Sequence, residues 1–279
     1  VPLWAQEWQV TQSPHFLILT DPAVAEQAAL LTAEAEVSYQ HVAEQLSTLS
    51  LSERYVMLVP ASQERFTELT EQGHETQGVA SHNTLIQNGA VETNSLRFVL
   101  NGASLEEFPF EYRQQTITHE LVHLLLATST RSYTPPWVAE GTATFFGEGI
   151  PWDTLRPWLA GRGTERTTLA DVTRPEHFAD WGEEQSIPIQ YAYSAALVAY
   201  LVETYGAEAF LEFYQDYART ENEQAYSEAL KSATPVEATD ALRLSITEEL
   251  LQEHFEQSLE SLEPAFEGWV LRNAAEQSS

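Results

Sequence analysis

The stretch His119-Glu120-Leu121-Val122-His123 lies within an apolar segment, residues 110–127, whose pattern predicts a helix. Positions i and i+4 of a helix share one face, so both imidazoles can point at one metal ion. Glu120 directly follows the first histidine and can reach a water molecule bound to that ion. This H-E-x-x-H pattern therefore predicts a two-histidine zinc site with a carboxylate placed as a general base.

A third ligand is needed, because a catalytic zinc usually has three protein ligands and leaves its fourth position to water. The extended three-histidine motif is excluded, since Leu126 stands at its glycine position and Ser129 at its third histidine. We favour Glu140, which opens a second predicted helix a short distance further on; Glu148 and Asp153 are the alternatives. Two histidines and one carboxylate form a known catalytic zinc ligand set.

Three segments, in this order, resemble the gluzincin zinc metallopeptidases of the peptidase MA-like group, which are related to aminopeptidase N. They are HELVH at 119–123, WVAEGTA at 137–143 and YAYSAA at 191–196. In that family the glutamate of the second motif is the third zinc ligand, which corresponds to Glu140. A tyrosine of the third motif stabilises the tetrahedral intermediate; it corresponds to Tyr191, with Tyr193 as the alternative.

The resemblance implies a zinc-dependent peptidase acting on a peptide or protein substrate. Zinc would activate a water molecule, Glu120 would carry its proton to the leaving amine, and Tyr191 would stabilise the oxyanion. It also implies an edge strand that pairs with extended substrate, expected at residues 96–100. The glycine-and-glutamate motif that anchors a free amino terminus in the clan's aminopeptidases has no counterpart before residue 110, so the choice between endopeptidase and exopeptidase stays open.

The remaining pattern predicts an α+β, zincin-like fold. Strands are expected at 15–20 and 55–59, and helices at 23–46 and after an N-cap at Ser62. Hairpins or meandering strands are expected between 78 and 102, with turns at Asn88-Gly89 and Asn101-Gly102. Helices are then expected at 137–146, 191–205, 207–219 and 246–269. Residues 1–128 would form a mixed α/β subdomain that includes the HELVH helix. Residues 129–279 would form a mainly helical subdomain carrying the third ligand, and the two would make one catalytic unit.

The composition of the chain limits the kinds of partner and the metal ligands that are possible. The formal net charge of -29 disfavours binding to nucleic acid, and the lack of cysteine leaves histidine and carboxylate as metal ligands. No apolar run is long enough to span a bilayer. The first residue is Val1 rather than methionine, which fits a mature chain whose signal or anchor was removed. We therefore expect an extracellular or cell-envelope protein.

Two other functions are compatible with the same residues. One is a metal-binding but catalytically silent module that acts in binding or assembly. The other is a structural acidic surface protein in which the H-E-x-x-H pattern is accidental. Zinc content and peptide cleavage distinguish the three.

Overall fold

The computed structural model describes residues 8–46, 49, 54–73, 76–87, 90–105, 109–161, 168–174 and 186–276, and their side chains except at 82–87, 90–95 and 186–187. The chain forms two compact units, Val1–Thr128 and Ser129–Ser279. Both helices and a small sheet are present, so the α+β class is confirmed. Within the described part of the chain, no helix is long and apolar enough to cross a membrane.

The first unit is built on a five-stranded sheet with the order β1-β2-β3-β5-β4. The strands are β1 Gln9–Gln12, β2 Phe16–Thr20, β3 Tyr55–Val59, β4 Gly78–Gln87 and β5 Ala90–Leu100. The inner strands β2, β3 and β5 pair in parallel, and β1 and β4 run antiparallel to their neighbours. Each inner strand contributes apolar side chains to the core, among them Phe16, Met57 and Phe98, which are fully buried.

Three helices pack with this sheet: α1 Ala28–Gln45, α2 Gln63–Thr70 and α3 Phe110–Leu126. Short 3-10 helices lie at Pro22–Gln27 and Gly102–Ser104. The helix α3 contacts α1, β4 and β5. The Thr118 hydroxyl donates to Ser38 Oγ at 2.9 Å, and Arg113 forms a 2.7 Å ion pair with Glu34. These contacts to α1 hold the helix that carries HELVH in place.

The structure corrects one prediction about this sheet. Residues 96–100 belong to β5, which lies between β3 and β4 and is not an edge strand. Phe98 is fully buried and Val99 is 1% exposed. The edge strand beside β5 is β4, because the hairpin places β4 on the outer side of β5. The turn predicted at Asn101-Gly102 is present: the side chain of Asn101 caps a short 3-10 helix, and its carbonyl accepts a hydrogen bond from the N–H of Ser104 at 3.3 Å. The expected turn at Asn88-Gly89 lies outside the described residues.

In the described part of the second unit all regular structure is helical. The helices are α4 Pro136–Glu148, α5 Trp152–Gly161, α6 Leu169–Val172, α7 Ser186–Tyr205, α8 Ala207–Asp216, α9 Thr220–Ala229, α10 Pro235–Phe255 and α11 Leu259–Glu276. The central helix is α7, which contacts α4, α5, α8 and α11. Residues 195–199 of α7 are fully buried, so this helix forms the core of the unit.

Some boundaries in this unit differ from expectation. The single helix expected at 246–269 is two helices, because Glu256 adopts a left-handed conformation with φ of 56° that ends α10. The helix α9 was not predicted; among its residues only Asn222 is buried, so it lacks an apolar stripe. Two short helices, α5 and α6, lie between the helices predicted at 137–146 and 191–205, where no helix was predicted.

Candidate metal centre

The histidines of HELVH lie on one face of α3, as predicted. The Nε2 atoms of His119 and His123 are 3.1 Å apart. Their ring centroids are 4.8 Å apart with the planes at 75°. Both side chains are half-buried, and Leu121, which lies on the opposite side of the helix, is fully buried. The buried side fixes the rotation of α3 and presents both imidazoles together.

This pair has the separation that one zinc ion requires. Ligand nitrogens about 2.0–2.1 Å from a tetrahedral zinc are separated from each other by roughly 3.3 Å. The observed 3.1 Å between the Nε2 atoms fits chelation of one ion by both rings. The same distance also suits an N–H···N hydrogen bond, in which one ring donates and the other accepts.

Glu120 is held by the edge strand. Its side chain is buried, with the residue 8% exposed, and Oε2 accepts a hydrogen bond from the backbone N–H of Ala80 at 2.6 Å. The strand β4 reaches α3 closely at Gly78, where a Cβ atom would lie 2.8 Å from Thr116 Cγ2 and 3.0 Å from Glu120 Cγ. The general base predicted from sequence therefore has a defined orientation, set by the backbone of β4.

The Ala80 contact also shows which way β4 faces. The N–H of Ala80 points to Glu120 and not to β5, and in an antiparallel strand the C=O of a residue points to the same side as its N–H. The carbonyl of Ala80 is thus directed from the outer edge of the sheet toward the side where Glu120 lies. Sequence reasoning missed this contact.

Glu140 lies in the second turn of α4 and is half-buried. The helix begins at Pro136, a residue suited to the first helical position because it lacks an N–H. Trp137 is fully buried and donates from Nε1 to Thr173 Oγ1 at 3.1 Å. The pKa of Tyr214 is raised by burial and, to a smaller extent, by the charge of Glu140.

The alternative third ligands are more open to solvent. Glu148 is exposed at the end of α4. The side chain of Asp153 is 97% exposed and pairs with Arg156, one turn further along its own helix. Neither shares the partly enclosed environment of Glu140.

The two candidate tyrosines of α7 differ clearly. Tyr193 is 4% exposed, and its ring packs against Trp158 at 5.7 Å and Phe266 at 5.2 Å between ring centroids. Tyr193 is thus part of the aromatic core of the second unit. Tyr191 is half-buried. Of the two, Tyr191 has the environment of a residue that can meet a substrate.

A second group of possible metal ligands lies in the second unit. Asp216, Glu253 and His254 have ligand atoms within 4.8 Å of one another. Arg219 already bonds to both carboxylates, at 2.7 Å from Glu253 and also to Asp216, while His254 Nε2 lies 2.8 Å from Asp216. The pKa of Arg219 is raised by its hydrogen bonds to Glu253 and Asp216. This group is an ion-pair network whose cation is a guanidinium.

Comparison with known proteins adds no relative. No protein-family model matches the chain, and no curated protein is significantly similar to it in sequence. The likeness to the gluzincins therefore depends on the three sequence motifs.

Proposed function

We propose that this chain is a zinc-dependent peptidase of the gluzincin type with a zincin-like fold. His119, His123 and Glu140 are the proposed zinc ligands, and Glu120 is the proposed general base. The observation that carries the proposal is the pair of Nε2 atoms 3.1 Å apart on α3, next in sequence to a buried and oriented carboxylate. A solvated helix with an accidental H-E-x-x-H pattern has no reason to bury Glu120.

The assignment of Glu140 has separate support. Glu140 is half-buried, unlike the exposed Glu148 and Asp153. In the motif W-x-x-E-G-x-A of the resembling family, this glutamate is the ligand.

In the proposed reaction, Glu120 and Tyr191 have separate roles beside the zinc ion. When bound, zinc lowers the pKa of its water and polarises the scissile carbonyl. The Ala80 N–H holds Glu120 Oε2, which leaves Oε1 to accept the proton of the attacking water and to deliver it to the leaving amine. The phenol of Tyr191 would donate a hydrogen bond to the developing oxyanion.

Substrate would bind along β4. An extended peptide can add to an exposed sheet edge, where backbone hydrogen bonds align it. The strand β4 is the edge strand on this side of the sheet, and the Ala80 carbonyl faces the side that holds Glu120, while the Ala80 N–H is already bonded to Glu120 Oε2. A peptide along this edge would bring its scissile carbonyl close to the general base. The net charge of -29 further disfavours nucleic acid as a partner.

The test compares wild-type protein with Glu120→Gln and His123→Ala, assayed for zinc content and for cleavage of an unfolded protein. We expect Glu120→Gln to retain zinc and lose turnover, and His123→Ala to lose both. Glu140→Ala should also lose zinc, while the matched controls Glu148→Ala and Asp153→Ala should keep it. Stoichiometric zinc without cleavage of a broad peptide library would favour the silent metal-binding module. Wild-type protein that binds no zinc would reject both functions.

A further inference from the structure

A buried arginine holds the segment that leads into α4. Arg243 of α10 is 4% exposed, and each of its guanidinium nitrogens donates a hydrogen bond. Nε donates to the carbonyl of Tyr133 at 3.2 Å, and Nη2 to the carbonyl of Ser132 at 3.4 Å. Nη1 donates to Asp240 at 2.6 Å, which supplies the balancing charge. The helix α10, far along the chain, thus donates hydrogen bonds to two consecutive carbonyls of the segment before α4, residues 130–135.

The hydrogen bonds of Arg243 fix the position of the backbone at Ser132 and Tyr133. A buried guanidinium is costly unless it is neutralised and its donors are satisfied. Asp240 neutralises the charge of Arg243 and accepts one of its hydrogen bonds, and two main-chain carbonyls accept the others. Since these acceptors belong to the backbone, the bonds constrain the path of the chain at Ser132 and Tyr133 whatever their side chains do.

Other contacts hold the same segment within the second unit. Tyr133 is 2% exposed, and its phenol donates to the carbonyl of Tyr217 at 2.9 Å. Thr130 Oγ1 lies 2.8 Å from the phenol oxygen of Tyr214, on which the charge of Glu140 also acts. Arg131 Nε donates to Glu223 at 2.6 Å. Hydrogen bonds therefore anchor the segment to Tyr214 of α8, to the Tyr217 carbonyl that follows α8, to Glu223 of α9 and to Arg243 of α10.

The anchored carbonyls lie just before the start of α4. Thr134 closes a turn through its N–H to the carbonyl of Arg131 at 3.0 Å, and Pro135 and Pro136 follow with fixed φ angles. There is little rotational freedom between Tyr133 and the first turn of the helix. A displacement at Tyr133 is transmitted to α4, and so to Glu140 in its second turn.

We propose that Arg243 is a positioning residue for the metal centre: it sets where α4 begins and thereby presents the carboxylate of Glu140 as a ligand. This inference rests on the proposed function. Groups that orient metal ligands from behind typically change metal affinity about 10- to 100-fold when they are removed.

The test compares Arg243→Met and Arg243→Lys with Arg219→Met as the matched control. Arg219 also bridges helices through ion pairs, to Asp216 and Glu253, but it does not contact the segment before α4. Zinc affinity would be measured by chelator competition on folded protein, together with the visible absorption spectrum of the cobalt-substituted protein. The spectrum reports ligand number and symmetry, which a general loss of stability leaves unchanged.

We expect Arg243→Met to weaken zinc binding by about tenfold or more and to alter the cobalt spectrum. Arg243→Lys should recover part of the affinity, because an ammonium can bond Asp240 and one carbonyl but not both carbonyls with the arginine fork. Arg219→Met should lower the thermal midpoint and leave zinc affinity and the cobalt spectrum unchanged.

Wild-type affinity and spectrum in Arg243→Met would overturn the inference, and so would an equal loss of affinity in Arg219→Met. If Arg243→Met does not fold, Tyr133→Phe removes only the phenol bond to Tyr217 and is expected to weaken zinc binding several-fold. Unchanged affinity in a folded Tyr133→Phe would then count against the proposal. Failure of the proposed function is distinct, because the wild-type protein itself would then bind no zinc.

Discussion

Gly141 lies against the main chain of Ser194: a Cβ built on Gly141 would be 2.7 Å from the Ser194 carbonyl oxygen and 2.9 Å from its Cβ. The helices α4 and α7 therefore touch backbone to backbone at this point. Glu140 directly precedes Gly141, and Tyr191 is less than one helical turn from Ser194. The contact thus sets the distance between the proposed third ligand and the proposed oxyanion donor, and it explains why glycine follows Glu140.

Gly141→Ala should destabilise the second unit and weaken zinc binding. Alanine favours a helix over glycine by about 1 kcal/mol, but the new methyl group forces α4 from α7, and overpacking of this kind costs about 1–3 kcal/mol. The measurements are denaturant unfolding and a zinc titration. Gly161→Ala is the matched control, because nothing lies within 4 Å of its added Cβ, and we expect no loss there. Equal stability of the two variants would contradict the assigned contact.

Tyr191→Phe should lower turnover and leave zinc content unchanged. Loss of one oxyanion donor typically reduces kcat by about 10²–10³. Tyr193→Phe should have little effect on turnover, because its ring belongs to the aromatic cluster with Trp158 and Phe266 and remains there without the hydroxyl. Steady-state kinetics on one peptide substrate, with zinc analysis of both variants, decides between them. A larger loss in Tyr193→Phe would reverse the assignment.

The features predicted well from sequence are those that depend on neighbouring residues. The apolar period of residues 110–127 predicted α3, whose observed range is Phe110–Leu126. Ser62 caps α2 as expected, accepting from the N–H of Arg65 at 3.3 Å. The strand Tyr55–Val59 has the predicted bounds. Each of these features is determined by residues that are close together in the sequence, so a short stretch of sequence is enough to predict it.

The features that were not predicted depend on contacts between residues that are far apart in the sequence. Whether β4 or β5 forms the sheet edge depends on which of them meets β3, and both are extended segments of the same hairpin. Ala80 reaches Glu120 across 40 positions and Arg243 reaches Tyr133 across 110, so no local pattern signals either contact. The two-histidine face was predictable, whereas the groups that orient Glu120 and the start of α4 required the tertiary structure.

Ala80→Pro should reduce turnover without removing zinc. Proline lacks the N–H that Glu120 Oε2 accepts, and its ring takes the place of that hydrogen, so the carboxylate loses its orientation. General-base catalysis contributes about 10²–10⁴ to the rate, and we expect a loss of at least about tenfold. The β4–β5 ladder should survive, because this N–H points away from β5.

Val79→Pro is the matched control for that substitution, since Val79 pairs with Val99 and, one residue before Ala80 in the strand, directs its own N–H and C=O toward β5. Proline there should disrupt the sheet and lower stability before it affects catalysis. Denaturant unfolding, zinc content and kinetics would be measured on both. Full turnover in Ala80→Pro would show that Glu120 needs no support from β4.

Added zinc should raise the stability of the folded protein. A ligand that binds only the native state at 100 times its Kd adds about 2.7 kcal/mol to the free energy of unfolding. Thermal unfolding of wild-type protein should therefore shift upward with added zinc, and chelation should reverse the shift. In His123→Ala and Glu140→Gln the shift should shrink or vanish, because each loses one proposed ligand, whereas Asp153→Asn should respond like wild type since that side chain is 97% exposed. A zinc response in Glu140→Gln equal to that of wild type would remove Glu140 from the ligand set while leaving the two histidines in place, and the search for a third ligand would move to other carboxylates.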